Sequence, residues 1–445
     1  MFNRIIFKHL EKWSVSKNRK PLILRGARQV GKTTLVLEFA KKYQQFIHLN
    51  LENKEHKKLF ESQLDFNTLL DAIFFQAKKQ KGINPTLVFI DEIQNSGEAI
   101  KLLRYFYENV PEMHVIAAGS LLETILNRKI SFPVGRVEYL SLRPCSFIEY
   151  LNAIGENRLV QLINQLDVPE YAHEIINKHF HRYTVIGGMP EIIQQYVETN
   201  DITSLQNVYQ SLLAGYMDDV EKYASNQMGV QYIRHILKVG LSYAGQRIKF
   251  ERFGGSDYRS REMGEAFRVL EKAMLTELIY PVSNTSLPLI ANYRKSPRFY
   301  WLDIGLVNYA ANIQYEVFSN TDFSTVWKGI TAELIVGQEL LAYDTNVLSK
   351  RYFWTREEKN STAEIDFVIP FKGNLIPIEV KSGNKGRLRS MHLFIESAPH
   401  SIAIRVWSNK FSVDEVVTPK GKNFKLINIP FYLVSNIHAI LSKYV

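Results

Sequence analysis

The residues with the plainest chemical purpose stand in the run R-G-A-R-Q-V-G-K-T-T, residues 25–34, which fits G-x-x-x-x-G-K-[ST] without a mismatch. Glycines at 26 and 31 let a backbone curl with its N–H groups turned inward, so that the loop can wrap a β-phosphate. Gly26, Ala27, Arg28, Gln29, Val30 and Gly31 would form that cradle, and Thr34 belongs to the same binding set. Lys32 would reach the β- and γ-phosphates of ATP, while Thr33 would set its hydroxyl on Mg²⁺. Such a loop needs a carboxylate on the metal side, and T-L-V-F-I-D-E-I-Q-N supplies Asp91, followed by Glu92 as a base for the attacking water. H-V-I-A-A-G-S ends on Ser120, a small hydroxyl suited to sense the γ-phosphate or that water.

A second group of charged residues lies far downstream. In A-E-I-D-F-V-I-P-F-K-G-N-L-I-P-I-E-V-K, two-residue spacing puts Glu364 with Asp366, and Glu379 with Lys381, on one face of a strand. A turn at Lys372-Gly373-Asn374 would fold the two stretches into a hairpin, and Glu333 on a preceding helix could join them. Two carboxylates holding Mg²⁺ beside a lysine can activate water against a phosphodiester. The same set can also be a cross-strand ion-pair cluster.

These residues need elements to hold them. P-L-I-L and L-V-F-I are short continuous apolar runs, as two-sided buried strands should be, and T-T-L-V-L-E-F-A-K-K-Y reads as the helix after the loop. V-E-Y-L-S-L is the next strand, with Gly135-Arg136 just before it. Residues 156–225 read as helices. Within them, Gly187-Gly188 allow a close backbone approach, and Pro190-Glu191 suit the first turn of a helix. From 228 to 285 the order is helix, short strand, helix, strand, with Arg259, Arg261 and Arg268 among the polar positions of the second helix. That outline fits a winged helix, although arginines on a solvated face are also common.

From residue 20 to about 155 the order of parts resembles the AAA+ ATPases. It is most similar to a bacterial and archaeal branch reading G-A-R-Q-V-G-K-T, D-E-I-Q, a G-S sensor and a G-R before L-x-P-x-S-F-x-E. The resemblance implies that Lys32, Thr33 and Asp91 hold Mg²⁺-ATP, that Glu92 is the catalytic base and that Ser120 is the sensor. Arg136 is then an arginine finger for a neighbouring subunit, or else a surface ion pair. Ala118 and Leu121 depart from the hydroxyl residues usual in the sensor segment. Pro190 resembles a lid proline packed on the adenine side. P-R-F-Y-W-L-D-I-G-L, from 297, resembles the opening of a companion domain of unknown function with a PD-(D/E)XK nuclease-like core. To that core Glu333, Glu364, Asp366, Glu379 and Lys381 would belong.

The expected fold class is therefore α/β. An AAA+ P-loop core with a parallel sheet (1–155) precedes a helical lid (156–225), a winged-helix-like domain (226–290) and a restriction-endonuclease-like α/β domain (291–445). The 445 residues suffice for several cores. One cysteine, Cys145, excludes an internal disulfide. The amphipathic start M-F-N-R-I-I-F-K-H-L-E-K-W lacks a cleavage site, no run is long enough to span a bilayer, and a cytoplasmic protein without membrane attachment is expected. A net charge of +10 favours polyanions such as nucleic acid as a long-range bias, or else reflects nothing more than a basic proteome. Two functions follow. The chain is an ATPase, with ATP and Mg²⁺, acting as a homo-oligomer on DNA; alternatively, it is a nucleotide-gated switch with negligible turnover and a vestigial nuclease domain.

Overall fold

The structure is a computed structural model that describes residues 4–120, 132–224, 226–314, 330–358, 362–381 and 388–444. Five strands form a wholly parallel sheet: β1 (Leu22–Arg25), β2 (Gln45–Asn50), β3 (Thr86–Asp91), β4 (His114–Gly119) and β5 (Glu138–Ser141), in the order β2-β3-β4-β1-β5. Strands buried on both faces must be apolar at every position. Leu22 and Leu24 accordingly enter one core and Ile23 the other; Leu87 and Phe89 part from Val88 and Ile90 in the same way. The edge strand β2, with its alternating pattern, had no counterpart among the expected strands.

The region expected to be helical contains helices Asn157–Gln165, Glu170–Ile186, Pro190–Thr199 and Gln206–Asp218. Next come helices Gln227–Val239 and Ser260–Lys272, then an antiparallel pair of β6 (Thr276–Ile279) and β8 (Arg298–Trp301). The short strand expected near Gln246 is a single bridge between Arg247 and Arg298. Between them β7 (Pro281–Val282) joins a different sheet, built with β9 (Tyr352–Thr355), β10 (Glu364–Phe371), β11 (Asn374–Val380), β12 (Ile402–Trp407), β13 (Ser412–Val417) and β14 (Asn423–Pro430). That mixed sheet runs β13-β14-β12-β11-β10-β9-β7. Strand pairing thus crosses position 290 in both directions, since β8 returns to β6 while β7 reaches forward to β9. The hairpin β10–β11 turns on Lys372 and Gly373, both with positive φ, as a two-residue hairpin turn requires.

One helix ties the two ends of the molecule together. Ile330–Ala342 carries Glu333 in its first turn and Glu339 two turns later. Glu339 is buried and accepts hydrogen bonds from the backbone N–H of Phe147 at 3.1 Å and from Tyr183 Oη at 2.7 Å. Gln338 donates to Tyr183 Oη at 3.1 Å and accepts from Ile304 N at 2.9 Å. A single apolar core runs from Ile6 through Tyr183 and Phe299 to Leu441, so these polar contacts sit inside packed surroundings.

Burial pushes the Glu339 pKa from 4.5 up to about 8. Its folded state therefore keeps a proton that the unfolded chain releases near 4.5, so stability falls as pH rises from there to about 8. Glu339→Gln, with its accepting oxygen retained, should melt higher than the parent near pH 8, and the gap should close as pH falls towards 5. A gap of equal size at both ends of that range would argue against a protonated Glu339.

Candidate functional site

The first residues to place are those of the loop 26–33. Gly26 is required by packing, since a Cβ there would lie 2.4 Å from the carbonyl oxygen of Leu142. Gly31 is required by backbone, at φ +90°, and it caps the helix Lys32–Ala40. Ala27 and Val30 point into the core, leaving the main chain and Lys32 on the open side. The buried Lys32 ammonium donates to the carbonyls of Gly26 (3.0 Å) and Ala27 (2.8 Å). Burial lowers its pKa to about 8, against the pull of Glu92 and Asp91.

The parallel register delivers the acids. β3 lies beside β4, and β4 beside β1, so Asp91 leaves its strand at the same edge as the loop. Thr33 Oγ1 donates to Asp91 Oδ2 at 2.8 Å. A hydroxyl and a carboxylate oxygen side by side are the ligand pair a phosphate-bound Mg²⁺ takes in such loops, so these residues fit that ion. The ion would screen the phosphate charge. Glu92 follows at φ +51°, and its carboxylate accepts a hydrogen bond from Gln94 Nε2. Gly119 pairs with Arg25, which places Ser120 next to the start of the loop. Leu121 lies outside the described residues.

A cleft of about 820 Å³ joins this loop to two elements from elsewhere. Pro190 and Glu191 line it from the start of helix Pro190–Thr199, and Arg4 and Phe7 from the N-terminal segment. Arg4 and Phe7 were not anticipated, because nothing local marks them. Phe7 packs edge-on against Phe39, and Arg4 is held by Glu149, the N3 residue of a capping box with Ser146. Glu149 accepts from Arg4 Nε at 3.0 Å and from Ile5 N at 2.6 Å. Arg28 lines the same cleft and is ion-paired with Asp219 of the helical region. Arg136 is half-exposed and pairs with Glu108 of its own chain at 3.0 Å.

The downstream charged residues also meet. The hairpin register sets Asp366 opposite Glu379, and a bulge between Ile365 and Val368 against β9 turns Asp366 inward. Lys381 pairs with Glu379 at 2.6 Å. The sequence reading missed the residue at the centre of the cluster. Arg298, buried on β8, contacts Glu333 at 2.6 Å, Glu364, and Asp366 at 3.5 Å. Its guanidinium lies over the Phe353 ring at 4.9 Å. Arg247 takes the other oxygen of Glu364 at 2.6 Å. Burial and Asp366 push both Glu333 and Glu379 upward, and Glu379 Oε2 is buried without a partner.

With Arg298 where it is, the cluster does not fit a divalent cation. Three of its carboxylates already bind a guanidinium. No group of three or more His, Cys, Asp or Glu side chains among the described residues could hold a metal. The sequence expectation of convergence holds for these side chains, but their carboxylates face an arginine.

Residues 18–151 match the family described as AAA domain. Residues 177–316 match a domain of unknown function (DUF8612), and residues 328–432 another (DUF4143). The parallel sheet and the phosphate loop thus lie within the stretch that matches the AAA domain, a match that supports nucleotide binding by the N-terminal part. Among solved structures the chain is similar to C. elegans PCH-2, at 13% identity over 44% of this chain and 62% of that one, TM-score 0.26. It is also similar to Drosophila ORC bound to DNA, at 18% identity over 59% and 65%, TM-score 0.27. The chain spans less than two thirds of either. No curated protein matches it. Among the described residues no helix is long and apolar enough to cross a membrane.

Lys32→Ala should abolish ATP binding in a fluorescent-nucleotide titration. Glu92→Gln should bind ATP like the parent and turn it over about 10²–10⁴-fold more slowly, as expected for loss of a general base; parental turnover would remove Glu92 from that role. Arg298→Met, which strands Glu333, Glu364 and Asp366 together, should cost about 3–5 kcal/mol of stability in denaturant melts. Addition of Mn²⁺ should return part of that loss in the variant and nothing in the parent.

Proposed function

We propose that this chain is a Mg²⁺-dependent ATPase of the AAA+ type whose nucleotide cycle is passed to a C-terminal domain that binds nucleic acid without cutting it. The observation that carries the reading is one short segment with two attachments. Pro190 and Glu191 line the nucleotide cleft, and Gly188, two residues earlier, donates to the buried carboxylate of Asp303 at 2.5 Å. Asp303 also accepts from Gln338 of the helix that carries Glu333. A shift of the lid when the γ-phosphate leaves has a short polar path to the C-terminal sheet.

The division into core (1–155), lid (156–225), winged-helix-like (226–290) and nuclease-like (291–445) regions belongs to this proposal. Helix 260–272 with β6, β8 and the Arg247 bridge has the outline of a winged helix, and Arg259 and Arg261 are exposed on it. The net charge of +10 favours a polyanion. Retention of the acidic cluster around Arg298 supports a nuclease-like fold without metal-dependent cleavage. Arg136 would serve a neighbouring subunit's ATP once it leaves Glu108. The switch reading, with negligible turnover in a cytoplasmic protein, is favoured by one contact, the hydrogen bond that holds Glu92 to Gln94.

Steady-state ATP hydrolysis with and without duplex DNA separates the two. Turnover should rise with DNA, the effect should fade steeply as salt is raised, and the DNA should remain intact in Mg²⁺ or Mn²⁺. In the same assay Arg136→Ala and Lys32→Ala, each inactive alone, should regain activity on mixing. Immeasurable turnover under all conditions would favour the switch; nicked DNA, lost in Glu379→Ala, would overturn the binding-only role of the C-terminal domain.

A further inference from the structure

A second cleft, of about 390 Å³, lies where the ATPase core, the middle region and the C-terminal domain meet. Its volume is in the range of small-molecule sites. Its walls come from the end of β1 (Arg25), from the connection after β5 (Arg143), from the end of helix 260–272 (Arg268, Lys272) and from the stretch before β9 (Lys350, Arg351). Against these six cations stand two carboxylates, Glu271 and Glu277. Both are engaged. Glu277 holds Arg351 through two contacts, at 3.1 and 2.8 Å, and Glu271 accepts from Leu278 N at 2.9 Å.

The neutral polar groups of the wall point to the same chemistry. Thr276 and Trp301 are more than nine-tenths buried and face each other across β6 and β8. Thr276 Oγ1 and Trp301 Nε1 have no hydrogen-bond partner. The indole N–H can only donate, as can guanidinium and ammonium groups, so this lining suits a ligand made mostly of acceptors. The Arg143 side chain makes one long hydrogen bond, to the carbonyl of Asp344 at 3.4 Å, and burial lowers its pKa against the pull of Glu277 and Asp344.

We propose that this junction cleft is a second anion site, separate from the phosphate loop, which binds a small molecule carrying a diphosphate group. The rigid pairing of guanidinium groups with phosphate oxygens is the contact such a wall offers. The site is wired to the nucleotide cleft through one stretch of main chain. Arg25 O accepts from Leu142 N at 2.7 Å, and Gly26 of the phosphate loop follows directly. The carbonyl of Arg143 accepts from Arg4 Nη2 at 2.6 Å, and Arg4 lines the nucleotide cleft. A ligand drawn to the Arg143 side chain therefore bears on the backbone that positions Arg4.

The test is calorimetric titration of pyrophosphate into the full-length Lys32→Ala chain, whose phosphate loop is disabled. One molecule should bind per chain, and orthophosphate should bind more weakly. Adding Arg268→Ala with Lys350→Ala, both exposed positions that leave the core intact, should weaken pyrophosphate by about tenfold or more. Arg143→Met in the same background should do the same, with an unchanged circular dichroism melt as the control for folding. Three results would overturn the site: no binding to Lys32→Ala, binding unaffected by Arg268→Ala with Lys350→Ala, or loss of duplex DNA binding in that pair without any pyrophosphate binding, which would make the arginines part of a nucleic-acid surface. Because the loop is disabled throughout, failure here leaves the ATPase proposal standing.

Discussion

A carboxylate can stay buried only where donors replace its water, and Asp303 is surrounded by them. It accepts from Gly188 N at 2.5 Å, Leu306 N at 3.2 Å and Gln338 Nε2 at 3.2 Å, and is fully buried. Burial still lifts its pKa to about 6, so the donors do not fully offset desolvation. This one group fixes the Gly187-Gly188 turn. Gly187 has φ +81°, and a Cβ on it would sit 2.2 Å from Asp303 Oδ1, so both the backbone and the space demand glycine. The helix that starts at Pro190 takes its direction from that turn, and with it the wall of the nucleotide cleft. Asp303, more than 200 residues beyond Asp91, thus sets the shape of a site whose phosphate loop and acidic strand lie in the first hundred residues.

The cluster around Arg298 obeys the same accounting of charge. Four carboxylates (Glu333, Glu364, Asp366, Glu379) face three cations (Arg247, Arg298, Lys381), leaving the group one positive charge short. The raised Glu333 and Glu379 are the physical answer: a proton retained on the cluster balances it. A guanidinium is a planar, weakly hydrated cation whose five donors are held in a rigid fork, which suits a buried site with several carboxylates better than the strongly hydrated ammonium of lysine. Arg298 is therefore a structural counter-ion. It pins β8, which pairs back with β6, to strand β10 and to the helix Ile330–Ala342.

The parts of the site that are local in sequence were legible, and those made by tertiary contact were not. A phosphate loop is a backbone device whose glycines and lysine must be neighbours, so residues 26–33 declared it. Asp91 and the hairpin acids follow from strand period and a two-residue turn. Arg298 offered no such signal. It lies 35 residues from Glu333 and 68 from Asp366, in a strand that reads as ordinary β structure. Arg4 was hidden for the same reason, since its anchor Glu149 is 145 residues away. The strand β2 escaped because its half-buried alternation sits at a sheet edge and carries no catalytic residue. For Arg136 the sequence left finger and ion pair open, and within one chain the partner is Glu108.

What can move in such a molecule is decided by what holds its parts together. Domains joined through a large apolar interface do not rotate freely, and here one core passes from the parallel sheet through the lid to the C-terminal helix Ile437–Tyr444. Opening that core would expose many buried side chains. The polar contacts threaded through it are different: Asp303 with Gly188, Glu339 with Phe147 N and Tyr183, Arg28 with Asp219. Each can exchange one partner for another with little change in buried apolar area. Asp219 holds the loop residue Arg28, so a phosphate bound in the loop would compete with that carboxylate for the guanidinium. On the proposed ATPase reading, coupling between the cleft and the far sheet would run through exchange of such hydrogen-bond and ion-pair partners rather than through rotation of whole domains.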